Sequence, residues 1–113
     1  MSLSQDDRYS VAASLRQVGD RWTLLILREA FEGTRRFESF RENLGIARNI
    51  LAGRLRQMVT DGIFDRHLYQ SRPDRYEYRL TEKGADLLGL MVALRQWGER
   101  WTASSESDAQ LHR

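Results

Sequence analysis

The chain has 113 residues, no cysteine and two histidines, and its charged residues leave a net charge of +2. This length predicts one domain with a single hydrophobic core. The cysteine count excludes disulfides and thiol-based sensing, and two histidines are too few for a convincing metal cluster. No apolar run approaches the ~20 residues of a membrane span, and no signal pattern opens the chain. We therefore expect a soluble, cytoplasmic protein without membrane contact or cofactor.

The positive charge is concentrated in the middle of the chain. The segment from Arg35 to Arg79 holds ten arginines and six acidic residues, and arginine outnumbers lysine 17 to 1 in the whole chain. Arginine has the planar fork that suits phosphates and guanine edges. A genome that favours arginine codons would give the same count, so the composition alone leaves both interpretations open.

The first half of the chain predicts two helices. After a polar, disordered segment 1–6, apolar residues at helical spacing predict a helix over 7–18. Asp20 is a good N-cap for a second helix, 21–32. This second helix is apolar nearly all round, so we expect it to be the most buried and interpret Trp22 as a core residue.

A helix-turn-helix pattern follows. Residues 33–36 predict a turn or edge strand, and a third helix over 38–44 ends at Gly45. A fourth helix then begins at Ala47 or Arg48 and ends near Asp61. Two helices joined by a short glycine-containing turn are typical of DNA-binding proteins.

The fourth helix has one face for a core and one for a polyanion. No acidic residue lies between Glu42 and Asp61, whereas three arginines do. We therefore predict that this helix lies in the DNA major groove. Its core face holds Leu51, Leu55, Met58 and Val59, and its outward face holds Asn49, Gly53, Arg56 and Gln57, with Arg48 in the first turn.

The periodicity then changes from 3.6 to 2, which predicts strands over 63–70 and 76–80. The turn between them contains the single proline and carries Arg72 and Arg75. A final helix, capped by Thr81, is predicted over 82–101, before a polar, disordered tail 102–113. The fold class is therefore mainly α with a small β-hairpin: a winged helix-turn-helix of order α-α-(β)-α-α-β-β-α, occupying 7–101.

The predicted chemistry is DNA binding. Asn49 could pair with adenine, and Arg48 or Arg56 with guanine, the alternative being a solvated helix face. Gly53 permits close approach of DNA or is simply tolerated, and Arg54 contacts phosphate or an internal acid. For the two arginines before the third helix, phosphate contact and an exposed turn charge are both open. For the two hairpin arginines we favour contact with sugar-phosphate or the minor groove, and a solvated hairpin tip is the alternative. The candidate DNA contacts are Arg35, Arg36, Arg48, Asn49, Gly53, Arg54, Arg56, Arg72 and Arg75.

The last helix has too many apolar groups for a lone surface helix. It either folds back on the first helix or pairs with a second copy of the chain. We favour a homodimer, because readers with two-fold symmetry match palindromic half-sites. An apolar pocket near Tyr9, Trp22 and Trp97 could then hold a small-molecule effector at the dimer seam. The predicted interface comprises Val11, Leu15, Leu88, Met91, Leu94, Trp97 and Trp101.

Enzymatic motifs are absent from the sequence. It contains no HExxH motif, no P-loop and no glycine-rich phosphate cradle. Ser39 and Ser71 have no histidine and aspartate partners at a defined spacing. We therefore expect a sequence-specific DNA-binding transcriptional regulator rather than an enzyme. The alternative is a winged-helix module for protein–protein interaction that does not bind DNA.

Six motifs between residues 18 and 101 carry a resemblance that extends over about residues 9–101. They are V-G-D-R-W-T-L-L-I-L-R-E at 18–29, R-R-F at 35–37, L-G-I-A-R-N-I-L-A-G-R-L at 44–55, D-G-I-F at 61–64, R-P-D-R-Y-E-Y-R-L-T-E-K-G at 72–84 and W-G-E-R-W at 97–101. With them the chain resembles the HxlR-type winged helix-turn-helix transcriptional regulators, which are related to the MarR-type regulators. The resemblance implies a small bacterial homodimer, a repressor or activator, that pairs through its terminal helices and contacts palindromic DNA through the fourth helix and the wing.

Two positions depart from that family's pattern. Many members carry a sensing cysteine just before the first helix, where Tyr9 and Ser10 stand here. Many also cap the recognition helix with serine or threonine, where this chain has Ala47. The cysteine-based sensing mode therefore does not carry over, and the helix start is expected to rely on a phosphate contact.

Overall fold

The structure, a computed structural model, describes residues 4–102. It confirms the predicted winged helix-turn-helix order. Within the described part of the chain, no helix combines the length and apolarity that crossing a bilayer requires. The elements are α1 (Gln5–Val18), α2 (Arg21–Phe31), α3 (Phe37–Leu44), α4 (Arg48–Thr60), β1 (Phe64–Gln70), β2 (Arg75–Leu80), α5 (Glu82–Ala85) and α6 (Leu88–Trp101).

Helix α1 begins at Gln5, earlier than predicted. The Asp7 backbone N–H donates to the Ser4 hydroxyl at 3.1 Å, and the Ser4 N–H donates to the Asp7 carboxylate at 3.0 Å. This reciprocal capping box satisfies N–H groups that a helix start otherwise leaves open. The polar segment expected to be disordered is therefore helical from its fifth residue, while residues 1–3 and 103–113 lie outside the described part.

One hydrophobic core joins α2, α3, α4 and β1. Phe40 of α3 and Phe64 of β1 lie with ring centroids 6.2 Å apart and are fully buried. Trp22 packs against the core while staying partly exposed, which agrees with its interpretation as a core residue. The buried members are Val18, Ile26, Leu27, Ala30, Phe40, Ile46, Leu51, Leu55, Met58, Ile63 and Phe64.

The helix-turn-helix turn depends on Gly45. This residue ends α3 with φ +63°, and its N–H donates to the Arg41 carbonyl at 2.9 Å. A left-handed conformation of this kind favours glycine because a Cβ strains it. The chain leaves the turn so that Leu51, Leu55 and Met58 of α4 are buried, which confirms the predicted core face.

The hairpin is antiparallel and pairs Phe64 with Leu80 at its base. Arg75 pairs with Gln70 as the first residue of β2, so it belongs to a strand rather than to the turn. The predicted turn or edge strand at 33–36 contributes a single bridge, between Arg36 and Glu77. The edge strand that was predicted between the second and third helices is therefore reduced to one residue, Arg36.

The predicted single last helix is wrong, because the chain divides it into α5 and α6. A Cβ on Gly84 would lie 2.2 Å from the Ile63 carbonyl oxygen, so the backbones of α5 and of the β1 start are in direct contact. The Leu87 N–H then donates to the Gly84 carbonyl at 3.1 Å, a tightened turn that redirects the chain. A contact across 21 residues of sequence causes this break, which local patterns do not show.

The outer faces of α1 and α6 are left without a partner. Trp97 and Trp101 are 60% and 63% exposed, and Leu15 of α1 is 59% exposed. Only Val18 is buried in α1, and no residue is buried in α6, although Met91 packs against the core. The alternative in which the last helix folds back on the first is therefore wrong for residues 4–102.

Candidate nucleic-acid interface

The outward face of α4 is exposed at both ends and half-buried at Gly53 between them. Asn49, Arg56 and Gln57 are exposed, and Arg48 at the first turn has a side chain 62% exposed. A Cβ on Gly53 would meet nothing nearer than the flexible Arg56 Nη2 atom at 3.9 Å. Nothing in the described residues therefore requires glycine at this position.

The first turn of α4 lacks a side-chain cap. Ala47 stands at the N-cap and accepts no N–H through a side chain. The first N–H groups of a helix have no partner within it, and the helix dipole makes this end positive. The combination of open N–H groups with Arg48 favours an anion at this end.

Arg48 itself is held by an acid of the preceding helix. Its Nη1 atom donates to Glu38 Oε1 at 2.5 Å, while Arg41 Nε donates to Glu38 Oε2 at 3.0 Å. The hydrogen bonds from Arg41 and then Arg48 hold the pKa of Glu38 below its ordinary value. The carboxylate of α3 is therefore ionised beside α4 at neutral pH.

Arg54 takes the internal of its two alternatives. Its Nε donates to Asp20 Oδ2 at 2.7 Å and its Nη2 to Asp20 Oδ1 at 3.3 Å. Asp20 also caps α2 by accepting the Thr23 N–H at 3.1 Å. The Arg54 hydrogen bond is the main cause that holds the pKa of Asp20 below its ordinary value. Asp20 thus ties the start of α2 to α4.

The two arginines before α3 differ from each other. Arg35 Nη1 donates to the carbonyls of Ala30 and Thr34 at 3.0 and 3.1 Å, so its guanidinium closes the end of α2. An exposed turn charge is therefore wrong for Arg35, which is half-buried, whereas its phosphate contact stays a prediction. Arg36 is exposed, pairs with Glu77 at 3.4 Å and lies over the Tyr69 ring.

The wing carries one arginine that the sequence prediction missed. Arg72 and Arg75 are exposed at its outer end, as expected for hairpin arginines. Arg66 of β1 lines a groove of about 350 Å³ between the wing and α4, opposite Arg56. Its guanidinium lies 4.0 Å from the Tyr76 ring centroid. The period of two already places Arg66 on the same face as buried Phe64, and this signal could have identified it.

These elements define a class of protein. Helix α4 has an acid-free outward face, follows a glycine turn and lies beside a two-stranded hairpin. This arrangement is that of a winged helix-turn-helix protein. The family model for HxlR-like helix-turn-helix proteins matches residues 17–106. The chain belongs to this family, whose members are transcriptional regulators.

Relatives and solved structures agree with this assignment. An HTH-type transcriptional regulator from Mycobacterium bovis is 55% identical over 97 residues, which cover 86% of this chain and 61% of that protein. The chain thus spans about three fifths of that relative's length. The crystal structure of PA1607 is 47% identical with a TM-score of 0.78, covering 84% of this chain and 66% of that one. A MarR-family regulator structure from Enterococcus faecalis is 31% identical with a TM-score of 0.74, covering 96% and 97%.

Proposed function

We propose that this chain is a sequence-specific DNA-binding transcriptional repressor, which acts as a homodimer on a palindromic operator in the bacterial cytoplasm. The observation that carries the proposal is the outward face of α4, which is exposed, free of acidic residues and backed by buried Leu51, Leu55 and Met58. A helix supported in this way has the dimensions that enter a major groove.

Base reading falls to the exposed side chains of α4. Asn49 can pair bidentately with adenine, and Arg56 or Arg48 with guanine. Each such pair discriminates against a wrong base by ~1–3 kcal/mol. Arg54 is left out of this role, because Asp20 already engages its guanidinium on two atoms.

Phosphate contacts fall to the surroundings of α4. The open N–H groups after Ala47 donate to one phosphate, and Arg36 donates to another at the start of α3. Arg66 faces the groove between α4 and the wing, where a backbone strand that leaves the major groove would run. Arg72 and Arg75 lie at the outer end of the wing, where sugar-phosphate or the minor groove would come within reach.

The exposed apolar faces of α1 and α6 support a dimer. A buried tryptophan removes ~150–250 Å² from water, so Trp97 and Trp101 offer a large driving force to a partner surface. An isologous interface satisfies both copies at once and offers two α4 helices to successive major grooves. The proposed interface joins Val11 and Leu15 to Leu88, Met91, Leu94, Trp97 and Trp101.

Repression follows from occupancy, because a dimer that fills two major grooves excludes other proteins from the same DNA.

A small-molecule effector is proposed at an apolar groove of about 430 Å³ between α2 and α6, lined in part by Phe31, Leu88 and Met91. Neither Tyr9, Trp22 nor Trp97 lines this groove, so its residues differ from those expected. A winged-helix protein-interaction module without DNA binding remains the second candidate.

The test begins with selection of bound fragments from random DNA, followed by affinity measurements over a series of salt concentrations. A DNA reader loses affinity log-linearly with salt, and removing one phosphate-contacting arginine lowers the slope by ~1. Arg56→Ala should relax the preference at one base position by ~1–3 kcal/mol if it reads a base.

Arg21→Ala is the matched control, since it removes the same charge from an exposed position of α2 and leaves the face of α4 intact. We expect it to retain the parent's base preference. Selection that enriches no sequence, or a doubly substituted Arg48→Ala, Arg56→Ala protein that binds as the parent does, would contradict the proposal and favour the protein-interaction module.

A further inference from the structure

Glu38 is an acidic residue beside the helix proposed to enter the major groove. Its carboxylate, 44% exposed, accepts Arg48 Nη1 on one oxygen and Arg41 Nε on the other. A single side chain therefore connects both helices of the helix-turn-helix. An acid in this place repels the phosphates of any duplex, so it lowers general affinity for DNA. Its contact across to α4 is with Arg48.

The contact gives Arg48 a fixed direction. A long arginine side chain loses rotamer freedom when it is ordered, and this entropy loss weakens binding if the order is imposed only on binding. With Nη1 engaged by Glu38, the orientation of the planar guanidinium, and with it the directions of the remaining donors, is restricted. A donor set that is oriented beforehand discriminates between base edges better than one that adapts to each of them.

Resting on the proposed function, we propose that Glu38 is a positioning residue for sequence preference, which lowers general affinity and holds Arg48 in one orientation at the first turn of α4. Glu38 itself contacts no base in this proposal. Its effect on DNA passes entirely through Arg48, and this dependence can be tested.

Glu42 supplies a matched control. It lies one turn further along α3, is exposed and lines the same groove next to the wing as Glu38. It makes no side-chain hydrogen bond or ion pair with residues 4–102. Glu42→Gln therefore removes the same charge from the same helix without releasing an arginine.

The experiment measures affinity for a duplex selected from random DNA and for a scrambled duplex of equal composition. Glu38→Gln and Glu42→Gln should both tighten binding to the scrambled duplex, by about twofold, because each removes one negative charge. Of these two glutamine variants, Glu38→Gln alone should lower the ratio of the two affinities, by about fivefold or more. Glu38→Asp keeps the charge but shortens the reach to Arg48, so it should lower the ratio without tightening the scrambled complex.

The dependence on Arg48 completes the test. In an Arg48→Ala background, Glu38→Gln should leave the ratio unchanged, because the residue to be positioned is gone. Equal ratios for the parent and both Glu38 variants, or equal losses in Glu38→Gln and Glu42→Gln, would overturn the role of Glu38 alone. A parent without preference for the selected duplex would overturn the proposed function itself, and this inference with it.

Discussion

The face around α4 and the face formed by α1 and α6 are both exposed, yet they differ in how the chain stabilises them. Around α4, arginines are held by acids of other elements, as Arg48 is by Glu38 and Arg54 by Asp20. On α1 and α6, large apolar groups such as Trp97 and Trp101 expose most of their surface to solvent. The charged face is stable in solvent as it stands, whereas the apolar face gains free energy only when another surface covers it.

This difference separates two kinds of information in the molecule. The charged face determines the orientation of side chains, because each ion pair positions a guanidinium group before any ligand binds. The apolar face contributes binding strength, because the free energy gained on covering it scales with the covered area and depends little on direction. Substitutions on the charged face should change which DNA sequence is preferred, and substitutions on the apolar face should change whether the proposed dimer forms.

The largest effect is expected on the apolar face. Trp97→Ala combined with Trp101→Ala should raise the dissociation constant of the proposed dimer by about 100-fold or more, because buried tryptophans are among the residues whose truncation costs most at interfaces. Sedimentation over a concentration series measures the shift to monomer. Leu68→Ala removes an apolar group of the wing that is 53% exposed and should leave the dimer unchanged. A doubly substituted protein that sediments as the parent does would remove α6 from the interface.

A smaller effect is expected where the charged face joins the core. Asp20→Ala should lower the free energy of unfolding by ~1–2 kcal/mol, because it deletes the α2 cap. The Arg54 pair is half exposed and adds less. Urea denaturation measures the change. Asp20→Asn keeps an oxygen for the Thr23 N–H and should lose less than ~1 kcal/mol; equal losses in both variants would mean that the ion pair outweighs the cap.

Gly53→Ala should act in opposite directions on stability and on binding. Alanine in a helix interior is favoured over glycine by ~1 kcal/mol, and the new Cβ has open space around it. We expect a more stable protein that binds the selected duplex about tenfold more weakly, because the methyl group holds the helix away from the bases. Gly89→Ala on α6, which also has open space, is the control. Unchanged DNA affinity would show that Gly53 is merely tolerated.

The smallest effect is expected when the pH is lowered and the carboxylate of Asp20 becomes protonated. The pKa of Asp20 is lowered from its ordinary value of 3.8, mainly by Arg54. Its contribution to stability is therefore complete above about pH 3.8 and is lost as the pH falls through the lowered folded-state pKa. The difference in unfolding free energy between the parent and Asp20→Asn should accordingly shrink as the pH falls from 7 to 3, by less than ~1 kcal/mol. A difference that stays constant over this range would contradict the assignment.

Local patterns were sufficient for the parts of the fold that are set locally. The buried face of α4 follows from the spacing of Leu51, Leu55 and Met58, and the turn before it from Gly45. The hairpin follows from the change of period to two. In each case the residue pattern and the neighbouring backbone determine the same structure, so the sequence alone is enough.

The remainder depends on contacts between distant segments. The last helix is divided where Gly84 lies against the Ile63 backbone. Arg35 is turned inward because its guanidinium reaches the carbonyl groups at the end of α2. The partners of Arg48 and Arg54 lie 10 and 34 residues away. Charge patterns identify arginine-rich stretches, but only the packed structure shows which guanidinium groups are already engaged.

The junction between α1 and α2 connects the two faces. Asp20 lies directly after α1 and holds both the start of α2 and Arg54 of α4. Helix α1 has 14 residues and is therefore ~21 Å long. In the proposed dimer, a rotation of about 10° at this corner moves the far end of α1 by roughly 4 Å, close to the rise of one base pair. The half-site separation that the dimer tolerates would then be fixed by a hinge angle, at residues that contact no base.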